Sequence, residues 1–182
     1  VRRDFSVKGR EYIDYQGERS RVQAIQNAAQ ARVYGLEAGA QFTLSNRLEL
    51  LTQINLTEGE EELDNGDTAP LRHAAPLFGN VHLTWTNKKL SIDLSAEYNA
   101  EISYDDLAPS EQEKSYLYAI DANGNPYAPE WYTLNLHSNY QLTDSWLISI
   151  ALENITDQRY RAYSSRIAAA GRDFILALHY RF

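Results

Sequence analysis

Apolar residues fall at every second position through Phe174-Ile-Leu-Ala-Leu-His-Tyr-Arg-Phe182. Phe174, Leu176, Leu178, Tyr180 and Phe182 form one set; Ile175, Ala177, His179 and Arg181 form the other, small or polar apart from Ile175. A period of two predicts a β-strand with two unlike faces. The run has the length that crosses a bilayer when tilted. Chain termini usually fray into water, so a strongly apolar final strand fits an outer-membrane barrel better than a soluble domain.

The pattern recurs upstream. Apolar sets at Tyr132/Leu134/Leu136/Tyr140/Leu142, Trp146/Ile148/Ile150/Leu152, Leu90/Ile92/Leu94/Ala96/Tyr98, Val81/Leu83/Trp85 and Leu36/Ala38/Ala40/Phe42/Leu44 alternate with mostly polar residues. Ser138 is polar on an apolar face, and Leu51-Thr52 interrupts the set Leu48/Leu50/Ile54/Leu56. The stretch Phe5 to Ile13 is a poorer eighth strand. Seven good strands of similar length predict an all-β chain.

Connections separate a membrane barrel from a soluble sandwich. Short turns at Ser45-Asn46, 86–89 and 143–145 alternate with long loops at about 57–76, 100–130 and 154–172. Short periplasmic turns and long extracellular loops produce this alternation in antiparallel transmembrane β-barrels. Aromatics then sort to two levels. Phe42, Trp85, Tyr140, Trp146, Tyr180 and Phe182 lie toward the short turns; Tyr34, Tyr98, Trp131 and Tyr132 lie toward the loops. Two aromatic girdles are expected of a spanning barrel.

Composition narrows the classes. The 182 residues carry a net charge of -8, which argues against a nucleic-acid partner. No run of apolar residues is long enough for a transmembrane helix. The mean hydropathy is negative, as it is for a barrel apolar on one face only. Tyr is abundant at 13 residues, suiting membrane interfaces. There is no cysteine, which excludes thiol chemistry, disulfides and Cys-based zinc sites. The start at Val1 has no leader-like stretch and reads as the interior of a longer protein.

Several sites offer chemistry. The segment Glu58 to Asp67 carries six carboxylates and reads as a solvated loop extended by self-repulsion, rather than a calcium site. Asp121-Ala-Asn-Gly-Asn125 places oxygen ligands at alternate positions but lacks the glycine and distal glutamate of a calcium loop, and reads as a turn. His82, His137 and His179 fall on the polar sets of different strands and are weak ligand candidates for haem or zinc. Ser138 follows His137 but faces the opposite way, so no nucleophile–base pair is argued and no enzyme is expected. No cofactor is expected either.

The residues Asn154-Ile-Thr-Asp-Gln-Arg-Tyr160, then Tyr163-Ser-Ser, Gly171-Arg-Asp-Phe174 and the final Phe182 resemble the carboxy-terminal signature of TonB-dependent outer-membrane receptors. Asn27 to Glu37 and Leu71 to Gly79 are similar to segments that precede descending strands in that family. The resemblance implies a roughly 22-stranded barrel closed around an amino-terminal plug. Such a receptor sits in the outer membrane among lipid and lipopolysaccharide. It takes up iron chelates, haem, cobalamin, metals or glycans, using energy from the TonB complex acting on the plug. Residues 1–182 would then be the carboxy-terminal third of such a barrel, with the plug and earlier strands outside it. The resemblance also makes Tyr180 and Phe182 a signal for the barrel-assembly machinery, alongside their reading as girdle residues.

The turn has its own physics. Asn154 and Asp157 can bond nearby backbone groups, and Gly171 can take a backbone shape closed to other residues. Arg172 reads as an anchor to lipopolysaccharide phosphate, a partner of Asp173 or Asp157, or a solvated side chain. Two other readings remain at this stage: a self-contained eight-stranded outer-membrane barrel serving as anchor or adhesin, and a soluble all-β binding module.

Overall fold

The computed structural model describes residues 2–4, 12–25, 30–63 and 66–182. Seven long strands form one antiparallel sheet: β1 (Ala31–Ser45), β2 (Leu48–Glu62), β3 (Phe78–Thr86), β4 (Leu90–Asn99), β5 (Trp131–Gln141), β6 (Trp146–Glu153) and β7 (Asp173–Tyr180). Each pairs with its neighbour in sequence, so the order is a meander from β1 to β7, with Thr68–Pro70 added beside the outer end of β2. No helix among the described residues is long and apolar enough to cross a membrane.

Register makes the two faces continuous. On one face Leu36, Leu56 and Ile54 meet across β1 and β2; Leu50, Leu83 and Leu94 follow across β2, β3 and β4. Leu94, Leu136, Leu152 and Phe174 carry the same row to β7. Much of this face stays open to the surroundings: Leu36 is 68% exposed, Leu94 45% and, on the same face of β7, Leu176 63%, while Leu50, Leu83, Leu136 and Leu152 are half-buried. Cross-strand apolar pairs stabilise a sheet, but an exposed apolar face this wide lacks a partner in water. On the other face Glu97 stands opposite Thr133, and Asp93 opposite His137. Ser95 and Thr133 there are only 5% and 4% exposed, so the polar face is the more enclosed.

The interruption at Leu51-Thr52 does not break β2. Thr52 stays on the apolar face, opposite Ala40 and Val81, and its hydroxyl donates to the Asn80 carbonyl at 3.2 Å. A hydroxyl satisfied by the sheet backbone no longer has to face water. The only register shift in the β1–β2 ladder lies between Thr43 and Ser45, beside the Asn46-Arg47 turn.

Two expectations require correction. The acidic segment is not a loop from Glu58 onward, because β2 continues through Glu62. Alternation puts Glu58, Glu60 and Glu62 on one face and Glu61 on the other, and Arg32 stands directly opposite Glu60, where its charge offsets part of that row. The proposed eighth strand at Phe5 to Ile13 falls mostly outside the described residues. Its described end lies in Tyr12–Tyr15, which pairs with Glu18–Arg21 in a separate hairpin and not with the main sheet. Gln16 and Gly17, both at positive φ, form its turn.

Candidate functional site: the outer loops, the inner wall and the closing turn

Three connections lie at one end of the sheet: the first outer loop (63–77), the second (100–130) and the third (154–172). The second is not a bare loop. It contains a short helix at Pro109–Gln112, a 3-10 turn at Ser115–Leu117 and a small hairpin of Ala119–Ile120 with Pro126–Tyr127. Asp121 Oδ1 accepts the N–H groups of Asn123 and Asn125, both at 2.8 Å, at the hairpin tip. Those bonds hold the Asp121 carboxyl below its ordinary range.

The apolar side chains that are truly buried lie here and not in the seven long strands. Among the described residues they are Ala69, Ile102, Leu107 and Ala108. The loops therefore have a small core of their own. Glu111 sits in it with a fully buried side chain. One carboxylate oxygen meets Arg72 Nε and, at 2.6 Å, Lys114 Nζ; the other accepts the Tyr118 hydroxyl at 2.6 Å. Burial alone pushes this carboxyl up. The bonds from Lys114 and Tyr118 and the charges of Arg72 and Lys114 outweigh burial and hold it below the ordinary range. Burial and the bond to Glu111 push the Tyr118 hydroxyl far up, so it stays a donor.

Two open clefts flank this core. The first, of about 430 Å³, lies between the second and third loops, with Tyr118, Trp131, Tyr160, Tyr163, Arg159 and Arg161 among its walls. The second, of about 440 Å³, lies against the first loop, with Leu71, Pro76, Ile102 and Tyr163 in its lining. Trp131 belongs to the polar face and not to the outer girdle, because its register sets it opposite Asn99; Tyr160 stacks on it with ring centroids 4.0 Å apart. Burial, with the charges of Glu97 and Glu153, pushes the Tyr160 hydroxyl up. The outer girdle is made instead by Tyr34, Tyr98 and Tyr132. Tyr98 stands directly opposite Tyr132; Tyr34 and Tyr98 donate to Glu58 and Glu130 at 3.0 and 3.1 Å.

The histidines are not gathered into one site. His82 Nδ1 lies 3.0 Å from Asp93, whose other oxygen accepts the Thr84 hydroxyl at 2.6 Å. His137 Nε2 lies 3.5 Å from Glu153, while His179 stands opposite Leu147 on β6. Among the described residues no group of three or more His, Cys, Asp or Glu forms a metal cage. The inner wall is a row of locally paired polar groups, extended by Ser149 with Asn139 and by Asn80 with Gln53.

At the short-turn end of the sheet, Trp146 and Tyr180 sit side by side at 4.6 Å, and Tyr180 meets Phe182 edge to face at 5.5 Å. Phe42 pairs with Leu50, Trp85 with Leu48 and Ile92, and Tyr140 with Leu90 and Ile148, all on the apolar face. Phe174 opens β7 on that face opposite Leu152.

The third loop is closed by a compact hydrogen-bonded turn. Asn154, at φ 46° and 5% exposed, accepts the Gln158 N–H at 2.9 Å. Its amide donates to the carbonyls of Gln158 and Ala170 at 2.9 and 3.1 Å. Its own N–H reaches Asn135 Oδ1 on β5 at 2.8 Å. Asp157, at φ 54°, accepts the Arg172 N–H at 2.9 Å. Arg172 Nε donates to the Ile155 carbonyl at 2.9 Å, and its guanidinium thus pairs with neither Asp173 nor Asp157. Gly171 is not at positive φ. A Cβ there would fall 2.8 Å from Asp157 Oδ1, so the glycine serves a close approach rather than an unusual backbone shape.

An open antiparallel meander, apolar on its exposed face and polar on its enclosed face, with structured loops at one end, is a wall segment of an outer-membrane barrel. The family model "TonB dependent receptor-like, beta-barrel" matches residues 5–155, and the chain belongs to this family of outer-membrane receptors. The matched span ends at residue 155, before Asp157. No curated protein sequence matches the chain.

Among solved structures, the chain is similar to the copper transporter OprC, with a TM-score of 0.65 and 16% identity over 90% of this chain and 24% of that one. It is similar to the ferric citrate transporter FecA in its unliganded form, with a TM-score of 0.63 and 15% identity over 84% of this chain and 24% of that one. A variant of the ferric enterobactin receptor PfeA from Pseudomonas aeruginosa gives a TM-score of 0.61 and 17% identity over 86% and 23%. At these identities the likeness is one of fold. The chain spans about a quarter of the length of those proteins.

Proposed function

We propose that the chain supplies seven consecutive strands of the wall, and three of the outer loops, of a receptor that takes up a scarce nutrient across the outer membrane. In this reading further strands continue the sheet, a plug fills the lumen against the polar face, and the TonB complex drives uptake through that plug. The chain is the carboxy-terminal part of that barrel. It performs no chemistry of its own: it completes the wall and helps to capture ligand. The observation that carries the reading is a loop layer with its own core and two clefts, set on a wall whose enclosed face is polar. Among the described residues β1 and β7 are not paired with each other, so these seven strands do not close on themselves.

The first cleft indicates the ligand chemistry. Aromatic faces from Tyr118, Trp131, Tyr160 and Tyr163 surround a space that Arg159 and Arg161 also line. Such walls suit an anionic ligand with planar or ring-like faces, such as an iron chelate or haem. OprC, FecA and PfeA are named for copper, ferric citrate and ferric enterobactin; the cleft favours an anionic chelate for this chain.

Titration of the receptor in detergent with ferric citrate, a ferric catecholate and haem, followed by tryptophan emission, tests this. At least one probe is expected to quench saturably, with binding weakened tenfold or more by Arg159→Ala with Arg161→Ala. Absence of binding by all three, or binding indifferent to both substitutions, would count against the cleft as the capture site.

A further inference from the structure

Three contacts close a triangle between the outer loops. Arg72 of the first loop meets Glu111 of the second. Tyr118 of the second donates to Glu111 and lies 6.4 Å from the ring of Tyr163 in the third. Tyr163 is in turn hydrogen-bonded by the His73 backbone of the first. Glu111 stands where two sides of this triangle meet, and its side chain has no exposure at all. A carboxylate removed from water is tolerated only when its oxygens are fully engaged. Here one oxygen takes Arg72 of the first loop and Lys114 of the second, and the other takes a hydroxyl of the second, so withdrawal of the first loop leaves a buried charge short of a partner; the third loop joins through the Tyr118–Tyr163 ring contact and the His73–Tyr163 bond.

We propose that Glu111 is an interlock that makes the three outer loops open and close as one body. It couples the wall of the first cleft, at Tyr118 and Tyr163, to a loop with no residue in that cleft. The route is physical and short: Tyr118 Oη to Glu111 Oε2, across the carboxylate to Oε1, and on to Arg72. Displacement of Tyr118 by anything entering the first cleft weakens the hold on Arg72 and loosens the second cleft, which the first loop lines through Leu71 and Ala74. The interlock follows from contacts within the loops and goes beyond the uptake reading; it is testable without any ligand.

Amide hydrogen exchange on the receptor in detergent reads it directly. The Leu71 N–H, bonded to the Gly59 carbonyl at 2.7 Å, and the Ala74 N–H report the first loop. Tyr118→Phe deletes one hydroxyl in the second loop and touches nothing in the first. It is expected to speed exchange at Leu71 and Ala74 about tenfold, as is Glu111→Gln, while amides of β6 and β7 keep their rates. Arg72→Gln combined with Glu111→Gln is expected to equal the stronger single variant. Unchanged first-loop exchange in Tyr118→Phe would overturn the interlock, as would strictly additive effects of the two other substitutions. Unchanged β6–β7 amides show that the barrel has assembled, and Tyr118→Phe keeps the test open if Glu111→Gln does not assemble.

Discussion

Asp157 holds the start of the last strand: its Oδ1 accepts the Arg172 N–H at 2.9 Å, and the same oxygen leaves no room for a Cβ on Gly171. A donor, an acceptor and a missing side chain are thus fitted to one point. Gly171→Ala must push the carboxylate off Arg172, at a cost of about 1 kcal/mol. Asp157→Ala costs about as much, and the pair together no more than either alone, because both remove the same bond. Denaturant midpoints of the receptor refolded into detergent give the three numbers. Additive losses would separate Gly171 from Asp157.

Asn154 carries more. Its side chain makes three bonds in a nearly buried setting, and its positive φ is one that Asn tolerates better than most residues. Asn154→Ala strands the Gln158 N–H and strains the backbone, with an expected loss of about 2 kcal/mol. Asn154→Asp keeps the acceptor and loses both donors, so it is expected to fall between Ala and the parent. The same denaturant series ranks the three; an Asp variant no better than Ala would shift the weight to the amide donors.

The two faces predict opposite tolerance. Ile150 lies on the apolar face between Ser138 and Leu176, whereas Ala177 lies on the polar face opposite Ser149. Ile150→Arg is expected to cost roughly 2–4 kcal/mol if that position lies near the bilayer midplane. Ala177→Arg is expected to cost far less, since its side chain enters a polar lumen. The heat-modifiable band of outer-membrane fractions measures the folded proportion of each. Equal proportions would contradict the face assignment.

Acid should loosen the loops before the barrel. The Glu111 carboxyl has a folded-state pKa below its ordinary 4.5. Its contribution is therefore complete above the unfolded value and is lost as pH falls through the depressed folded one. Loop protection against protease is expected to be flat from about pH 8 to 5 and to fall below about pH 4. The step should vanish in Glu111→Gln, which lacks the titrating group. Loss of protection near neutral pH would place the responsible group elsewhere.

The wall was legible because the period of two is a property of neighbouring residues. Leu94, Leu136, Leu152 and Phe174 announce a face before any partner is known. Thr52 was not legible, since its place depends on the Asn80 carbonyl of another strand. Neither was the extension of β2 through the glutamates: charge density suggests a loop, and the pairing with Ala31 to Tyr34 on one side and with Thr68–Pro70 on the other makes a strand of it. The closing turn was half legible, through the bonding habits of Asn154 and Asp157. The loop core was silent. Arg72, the pair Glu111 and Tyr118, and Tyr163 lie on three separate loops and follow no period. Trp131 likewise looked like a girdle residue until its register placed it beneath Tyr160.

The central claim is that one face of this sheet meets lipid and the other a polar lumen. The chain has no cysteine of its own, so single cysteines carrying a nitroxide at successive positions from Phe174 to Tyr180, in a receptor otherwise free of cysteine, report each site alone. In the receptor reconstituted in lipid, collision with oxygen is expected to peak at Phe174, Leu176 and Leu178. Collision with a water-soluble nickel chelate is expected to peak at Ile175, Ala177 and His179. A profile without alternation, or with the two phases exchanged, would contradict the account.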